Sequence, residues 1–119
     1  MLTPLPQADG EAKPRPVILL RRVPPFGDWL VCGVSTQLHH EVVGFDDVVE
    51  PSHADFAGSG LKAPSLIRLG FLAVLPPKVL LGVIGSISAE RHGRLLQHLA
   101  AFLQSPQEAP DAGLPPPPP

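Results

Sequence analysis

The chain has no tyrosine, and aromatic residues make up only 5% of its 119 residues. So few rings leave little capacity for stacking on unpaired nucleobases, so any sequence readout would rely mainly on hydrogen bonds. Cys32 is the only cysteine, which excludes an intrachain disulfide and gives no sign of an oxidising compartment. Its apolar neighbours predict a buried, unreactive thiol rather than a nucleophile.

Long apolar runs and a secretory signal pattern are also missing. The longest apolar stretches, such as residues 79–84, are far shorter than the roughly 20 residues of a membrane-spanning helix. These absences predict a soluble, cytoplasmic protein with no membrane contact. The composition, 44% hydrophobic and 17% charged, is typical of one globular domain, and a net charge of −2 argues against general attachment to nucleic acid.

Charges are distributed unevenly along the chain. Basic residues crowd the region of the first long predicted strand: Lys13, Arg15, Arg21 and Arg22. Acidic residues follow, with no Lys or Arg among them: Glu41, Asp46, Asp47, Glu50 and Asp55. This asymmetry permits a local site for an anionic ligand, although scattered surface charge explains it equally well.

Short β-branched and aliphatic runs separated by Pro and Gly predict a mainly β fold. Strands are predicted at residues 17–22, 29–37, 42–43, 47–49, 65–75 and 79–83, with at most a short strand within 2–9. Apolar residues on both faces suggest a central position for the 29–37 strand. Residues 65–75 predict one or two strands, with a bend or bulge at Gly70, and residues 51–56 predict a helical turn.

One helix is clear near the C-terminus. Ser88 suits its N-cap, Glu90 its first turn, and Pro106 ends it. One face of this helix is predicted to carry His92, Leu95, Leu96, Leu99 and Leu103. Strands followed by a single helix favour a small antiparallel barrel over residues 1–104. The proline-rich residues 105–119 predict a disordered or polyproline II tail, with a ligand for a proline-binding domain as the alternative.

Four segments, in order, resemble motifs of the PemK/MazF family of type II toxin–antitoxin ribonucleases. They are Lys-Pro-Arg-Pro-Val-Ile-Leu-Leu at 13–20, Gly-Val-Ser-Thr-Gln at 33–37, Gly-Leu-Lys-Ala-Pro-Ser-Leu-Ile-Arg at 60–68 and Val-Ile-Gly-Ser-Ile-Ser at 83–88. The likeness spans about residues 2–103. It implies an SH3-like barrel with a C-terminal helix, a homodimer, and a cognate antitoxin whose tail occupies the RNA groove.

The resemblance also implies cleavage of single-stranded RNA without metal or cofactor, by attack of the 2′-hydroxyl on the adjacent phosphorus. Arg15 matches the family's motif arginine and would stabilise charge on the phosphate, with Ser35 and Thr36 supplying hydroxyls. Without the resemblance, Arg15 and Ser35 would be ordinary residues at strand ends. Substrate binding is expected of four further residues: Lys13, Gln37, Arg68 and His39.

The chain departs from the family in its acid–base residues. Gly70 stands where some relatives have a catalytic aspartate, and residues 9–12 lack the histidine that some relatives carry there. Glu11, His39 or His40 could substitute. Because the missing groups normally move protons, the alternative is an inactive barrel that binds an antitoxin or a protein target such as gyrase.

A third departure concerns the start of the chain. Met1 stands where the family's first strand would be ending. We therefore expect either a start further upstream or a truncated first strand. A truncated strand would leave the barrel less stable and prone to aggregation.

Overall fold

The computed structural model describes residues 2–6, 14–80 and 82–106. Its centre is an antiparallel sheet with the strand order β1-β2-β3-β5-β4. The strands are β1 (Leu2–Pro6), β2 (Pro14–Val23), β3 (Asp28–Ser35), β4 (Asp47–Val49) and β5 (Ser65–Leu75). Two α-helices, α1 (Phe56–Ser59) and α2 (Ala89–Gln104), and two 3₁₀ turns, Leu38–His40 and Pro77–Val79, complete the described chain.

Two register shifts curl this sheet into a half-barrel. One lies in β2 between Leu19 and Arg21. The other lies in β5, where the partners of Cys32 and Gly33 jump from Leu72 to Arg68. Bulges of this kind bend a strand and increase its twist. The second shift contains Gly70, so the predicted bend within a single long β5 is confirmed.

The central strand β3 is buried on both faces, as its sequence predicts. Cys32 and Val34 face the main core, which α2 covers with Leu95 and Leu99. Val31 faces a smaller cluster on the other side. Cys32 has no exposed surface, which confirms its predicted burial, and this burial raises the pKa of its thiol to about 12.

Helix α2 begins where Ser88 predicts. The Ser88 hydroxyl accepts a hydrogen bond from the backbone N–H of Arg91 at 3.0 Å, as an N-cap does. Leu95 and Leu99 are buried, but Leu103 is 69% exposed, so its predicted inward position is wrong. The reason is that the last turn extends past the core cluster, whose final helical member is Leu99.

The predicted strand at 42–43 is wrong. Asp46 is buried, and its carboxylate accepts hydrogen bonds from the N–H groups of Val42, at 2.9 Å, and Leu69, at 3.0 Å. In this loop a side-chain carboxylate accepts the hydrogen bond of a backbone N–H. In a β-strand, a carbonyl of the neighbouring strand would accept it. The helical turn expected at 51–56 also differs, because α1 starts at Phe56.

The predicted strand at 79–83 is wrong for its described part. Val79 belongs to the 3₁₀ turn Pro77–Val79, and residues 82–84 form no strand. Pro77 occupies the first turn of this segment, where its fixed φ suits a helical conformation. Of the expected tail, Ser105 and Pro106 follow the helix, and the remainder lies outside the described residues.

Candidate functional site

A cleft of about 530 Å³ lies where β2 begins and β3 ends. Antiparallel pairing sets Val17 opposite Gly33, and two further residues along this register bring Arg15 level with Ser35. Five parts of the chain line the cleft: the start of β2, the end of β3, the loop after α1, the first residue of β5 and the segment before α2. Its lining residues are Arg15, Pro16, Val34, Ser35, Thr36, Gly60, Leu61, Lys62, Ala63, Ser65 and Ile84.

Two cations, Arg15 and Lys62, reach the cleft from different elements. Both are exposed. The ion pairs among the described residues all join Arg91 or Arg94 to aspartates, so neither cleft cation is neutralised there. A guanidinium and an ammonium without carboxylate partners can bind an incoming anion without first breaking an internal ion pair.

The hydroxyl groups of the cleft come from the end of β3. Ser35 Oγ accepts a hydrogen bond from the backbone N–H of Gln37 at 2.9 Å. This bond uses a lone pair and leaves the hydroxyl proton free to be donated to a ligand oxygen. Thr36 follows, exposed, and its carbonyl accepts from the Leu38 N–H at 3.0 Å. The predicted extension of the strand to residue 37 is wrong because this turn ends β3 at Ser35.

Glycines allow the outer wall of the cleft to form. Gly60 has φ +80°, a left-handed conformation, and a Cβ there would overlap the carbonyl of Ile84. A Cβ on Gly85 would overlap the carbonyls of Gly58 and Ser59. The Ser86 N–H donates to the Gly58 carbonyl at 2.9 Å. Direct backbone contact therefore holds residues 84–86 against the loop that carries Lys62.

The sequence and the fold can be set beside those of known proteins. No protein-family model matches the sequence, and no curated protein matches it. Among solved structures, the Mycobacterium tuberculosis toxin MazF-mt6 aligns with a TM-score of 0.64 and 23% identity, covering 88% of this chain and 99% of that one. The chain has the fold of MazF-mt6.

A second solved structure, an Mtb toxin, aligns with a TM-score of 0.58 and 22% identity, over 82% of this chain and 96% of its own. At these identities the likeness concerns the fold. The MazF-type fold confirms the predicted small, mainly β barrel with a C-terminal helix.

Within this MazF-type fold, the predicted site residues separate into two groups. Arg15, Ser35 and Thr36, named as catalytic candidates, line one cleft. Lys62 joins them, although we did not single it out. Lys62 belongs to the Gly-Leu-Lys segment at 60–62. The sequence of that segment does not indicate which strands lie next to this loop.

Three of the four predicted substrate-binding residues are described, and none of these three lines the cleft. Arg68 is half-buried on β5 and pairs with Gly33. Gln37 contributes its backbone N–H to Ser35, and its side chain is absent from the lining. His39 lies on the exposed 3₁₀ turn with its ring 4.3 Å from that of His40. Lys13 lies outside the described residues. Substrate binding by these four residues therefore stays a prediction.

Acid–base groups are missing from the described lining of the cleft. It contains no Asp, Glu or His. His39 and His40, considered as substitutes, lie on the neighbouring turn and do not line it. Glu11, the third substitute, lies outside the described residues. The described cleft can bind and stabilise an anion, and it holds no side chain suited to moving protons at neutral pH.

A second charged region, which the sequence did not indicate, joins α2 to the loops. Arg91 donates to both carboxylate oxygens of Asp55, at 2.8 and 2.9 Å, and to Asp47 at 2.8 Å. Arg94 donates to the same Asp47 at 3.0 and 3.2 Å. We call these four residues the ion cluster. Hydrogen bonds from Arg91 hold the pKa of the Asp55 carboxyl far below its usual range.

Two structural features bear on other classes of function. Within the described residues, no group of three or more His, Cys, Asp or Glu side chains is arranged to hold a metal ion. None of the helices in that part of the chain has the length and apolar character to span a bilayer.

Proposed function

We propose that this chain is a toxin of the MazF type, acting in the cytoplasm, that cleaves single-stranded RNA in the cleft. The observation that carries the proposal is Arg15, which has no ion pair to a described residue, in one cleft with the hydroxyls of Ser35 and Thr36. The fold shared with MazF-mt6 supports it. Single-stranded RNA suits an open cleft because its nucleotides can be splayed away from their neighbours.

The proposed reaction needs no group beyond the RNA itself as nucleophile. The 2′-oxygen attacks the adjacent phosphorus, so a new P–O2′ bond forms while the P–O5′ bond breaks. The 2′-hydroxyl loses a proton and the leaving 5′-oxygen gains one, which gives a 2′,3′-cyclic phosphate and a 5′-hydroxyl. Negative charge increases on the phosphate oxygens meanwhile, and preorganised donors that meet it lower the barrier.

We assign to Arg15 and Ser35 the role of stabilising that negative charge. The planar guanidinium donates in a fork that matches two phosphate oxygens and stays protonated at any relevant pH. Ser35 donates its free hydroxyl proton, and Thr36 supplies a second hydroxyl. General acid–base assistance is commonly worth about 10² to 10⁴ in rate, so we expect slow turnover from a cleft whose described lining lacks it.

Cleavage of a mixed-sequence single-stranded RNA by the purified protein tests the proposal. Arg15→Ala should reduce the single-turnover rate by about 10² to 10³, the usual cost of removing one donor to the developing charge. Ser35→Ala should reduce it less, because Thr36 remains. Arg21→Ala is the matched control, since Arg21 is exposed on the same strand and does not line the cleft. Equal rates for Arg15→Ala and Arg21→Ala would refute the assignment.

A second candidate is an inactive binding module that engages an antitoxin or a protein target such as gyrase. The absence of Asp, Glu and His from the described lining favours it. This module predicts no RNA cleavage by the wild-type protein even at micromolar concentration, together with complex formation that Arg15→Ala weakens. Cleavage that Arg15→Ala abolishes would exclude it.

We also propose an antitoxin partner and a homodimer. The cationic cleft would accept an acidic antitoxin segment in competition with RNA. Strand β5 supplies an apolar patch for dimerisation, because Leu72 and Val74, which share one face of the strand, are 40% and 52% exposed. Sedimentation equilibrium of the purified chain should give twice the monomer mass, and Val74→Lys should shift it towards the monomer.

A further inference from the structure

We infer that Lys62 is a second phosphate-binding residue of the cleft, holding a phosphate next to the one held by Arg15. This inference rests on the proposed function and adds a residue to the same site. It assigns to the cleft two backbone phosphates on either side of one nucleoside.

The position of Lys62 is the first argument. Arg15 belongs to the start of β2, whereas Lys62 belongs to the loop after α1, so the two cations come to the cleft from separate elements. The backbone just before Lys62 lies close against residues 84–86: a Cβ on Gly60 would overlap the Ile84 carbonyl, and the Ser86 N–H donates to the Gly58 carbonyl at 2.9 Å. The backbone carrying Lys62 is therefore positioned before any ligand arrives.

Charge is the second argument. Neither Lys62 nor Arg15 takes part in any ion pair among the described residues, and the described lining of the cleft contains no carboxylate. Two uncompensated positive charges at one cleft favour a ligand with two negative charges. A single phosphate could be held by Arg15 alone.

The remaining lining indicates what lies between those charges. It is largely aliphatic, with Pro16, Val34, Leu61, Ala63 and Ile84. The volume of about 530 Å³ lies within the range of about 300 to 1,000 Å³ typical of small-ligand sites. Such a surface can bind the flat base of a nucleoside through van der Waals contact. Single-stranded RNA supplies this pattern of phosphate, nucleoside and phosphate, whereas an acidic peptide would bring carboxylates at variable spacing.

The test separates phosphate binding from cleavage by using an RNA that cannot be cut. The probe is a short, fluorescein-labelled, mixed-sequence 2′-O-methyl oligoribonucleotide, in which the attacking oxygen is blocked. Fluorescence anisotropy gives the binding constant at several salt concentrations. For single strands, each phosphate contact contributes about 0.7 to the slope of log K against log salt.

We expect Lys62→Gln to weaken binding and to reduce that slope by about 0.7, the loss of one phosphate contact. Lys62→Arg should keep the slope because it keeps the charge. Lys78→Gln is the matched control, since Lys78 is also an exposed lysine in a surface turn and does not line the cleft. Melting curves establish that each variant is folded.

Each outcome decides the matter. An unchanged slope for Lys62→Gln, an equal loss for Lys78→Gln, or no binding of the probe by the wild-type protein would overturn the inference. If the wild-type protein binds the probe through Lys62 but cleaves no unmodified RNA, the proposed enzyme fails and the second phosphate site stands. If Arg15→Ala abolishes cleavage while Lys62→Gln keeps the wild-type slope, the enzyme stands and the second site fails.

Discussion

The cleft and the ion cluster both contain two cations, but they use them in opposite ways. In the ion cluster, Arg91 and Arg94 donate to aspartates at 2.8 to 3.2 Å, and one of these aspartates serves both arginines. In the cleft, Arg15 and Lys62 are exposed and form no ion pair with a described residue. Positive charge alone therefore does not identify a ligand site in this molecule.

Burial explains the difference. Arg91 is only 6% exposed, and a charge taken out of water costs several kcal/mol unless it is paired and hydrogen-bonded. Its three nitrogens donate four hydrogen bonds, to Asp55, Asp47 and the Val48 carbonyl, so four of the five N–H groups of the guanidinium have partners. Arg15 stays in solvent and needs no such partners. A cation that is exposed and unpaired remains available to a ligand.

The largest expected effect comes from breaking the ion cluster. Arg91→Ala leaves Asp47 and Asp55 largely buried without their shared partner. Breaking such a pair from one side typically costs about 3 to 5 kcal/mol of the free energy of unfolding. Urea unfolding followed by circular dichroism measures this loss.

Variants on both sides of the comparison serve as controls. Arg94→Gln should cost less than about 1 kcal/mol, because the Arg94 side chain is 38% exposed and solvent screens its pair with Asp47. Arg15→Ala should change the free energy of unfolding by less than about 0.5 kcal/mol, as exposed substitutions usually do. If Arg15→Ala and Arg91→Ala were equally destabilising, the distinction between the two regions would be lost.

A smaller effect is expected in the pH dependence of stability. Hydrogen bonds from Arg91 lower the pKa of the folded Asp55 carboxyl well below the unfolded value of about 3.9. In acid the unfolded chain therefore binds a proton at Asp55 that the folded chain does not, and the free energy of unfolding falls as pH decreases. The titration of Asp55 alone should lower the free energy of unfolding by about 1 kcal/mol when the pH falls from about 5 to about 3.

Asp55→Asn removes this titration, so its free energy of unfolding should fall less over the same pH range. Urea unfolding at stepped pH compares the two slopes. Asp28→Asn is the control, since Asp28 forms no ion pair among the described residues. Identical slopes for the wild type and Asp55→Asn would show that Asp55 has no special role in the ion cluster.

Local sequence patterns predicted much of the fold. The two-faced apolar pattern of β3 predicted its central position, Gly70 the bend in β5, and Ser88 the start of α2. Failures arose where long-range contacts replaced local preference. Residues 42–43 have a β-type composition, yet the buried Asp46 carboxylate takes the N–H of Val42 and links it to Leu69.

The same division holds for the site. Arg15, Ser35 and Thr36 were predicted through the family resemblance, and they line one cleft because β2 and β3 are adjacent in sequence and pair. Gln37 and His39 follow the turn after β3, where the Gln37 N–H donates to Ser35, and Arg68 lies on β5 opposite Gly33, so none of the three lines the cleft. Lys62 was missed because it lies 26 residues beyond Thr36, on a loop whose position depends on backbone contacts with residues 84–86.

What the sequence determined by itself is the periodic and local part of this protein: its strands, its capped helix, its buried cysteine and the charge at the start of β2. These follow from alternation, capping and side-chain chemistry within a few residues. The tertiary structure alone decided which cations are paired and which stay free. Arg91 lies 36 residues from Asp55 and 44 from Asp47, and only the folded chain brings them together. The same folding brings Arg15 and Lys62 to one cleft with no ion pair to a described residue.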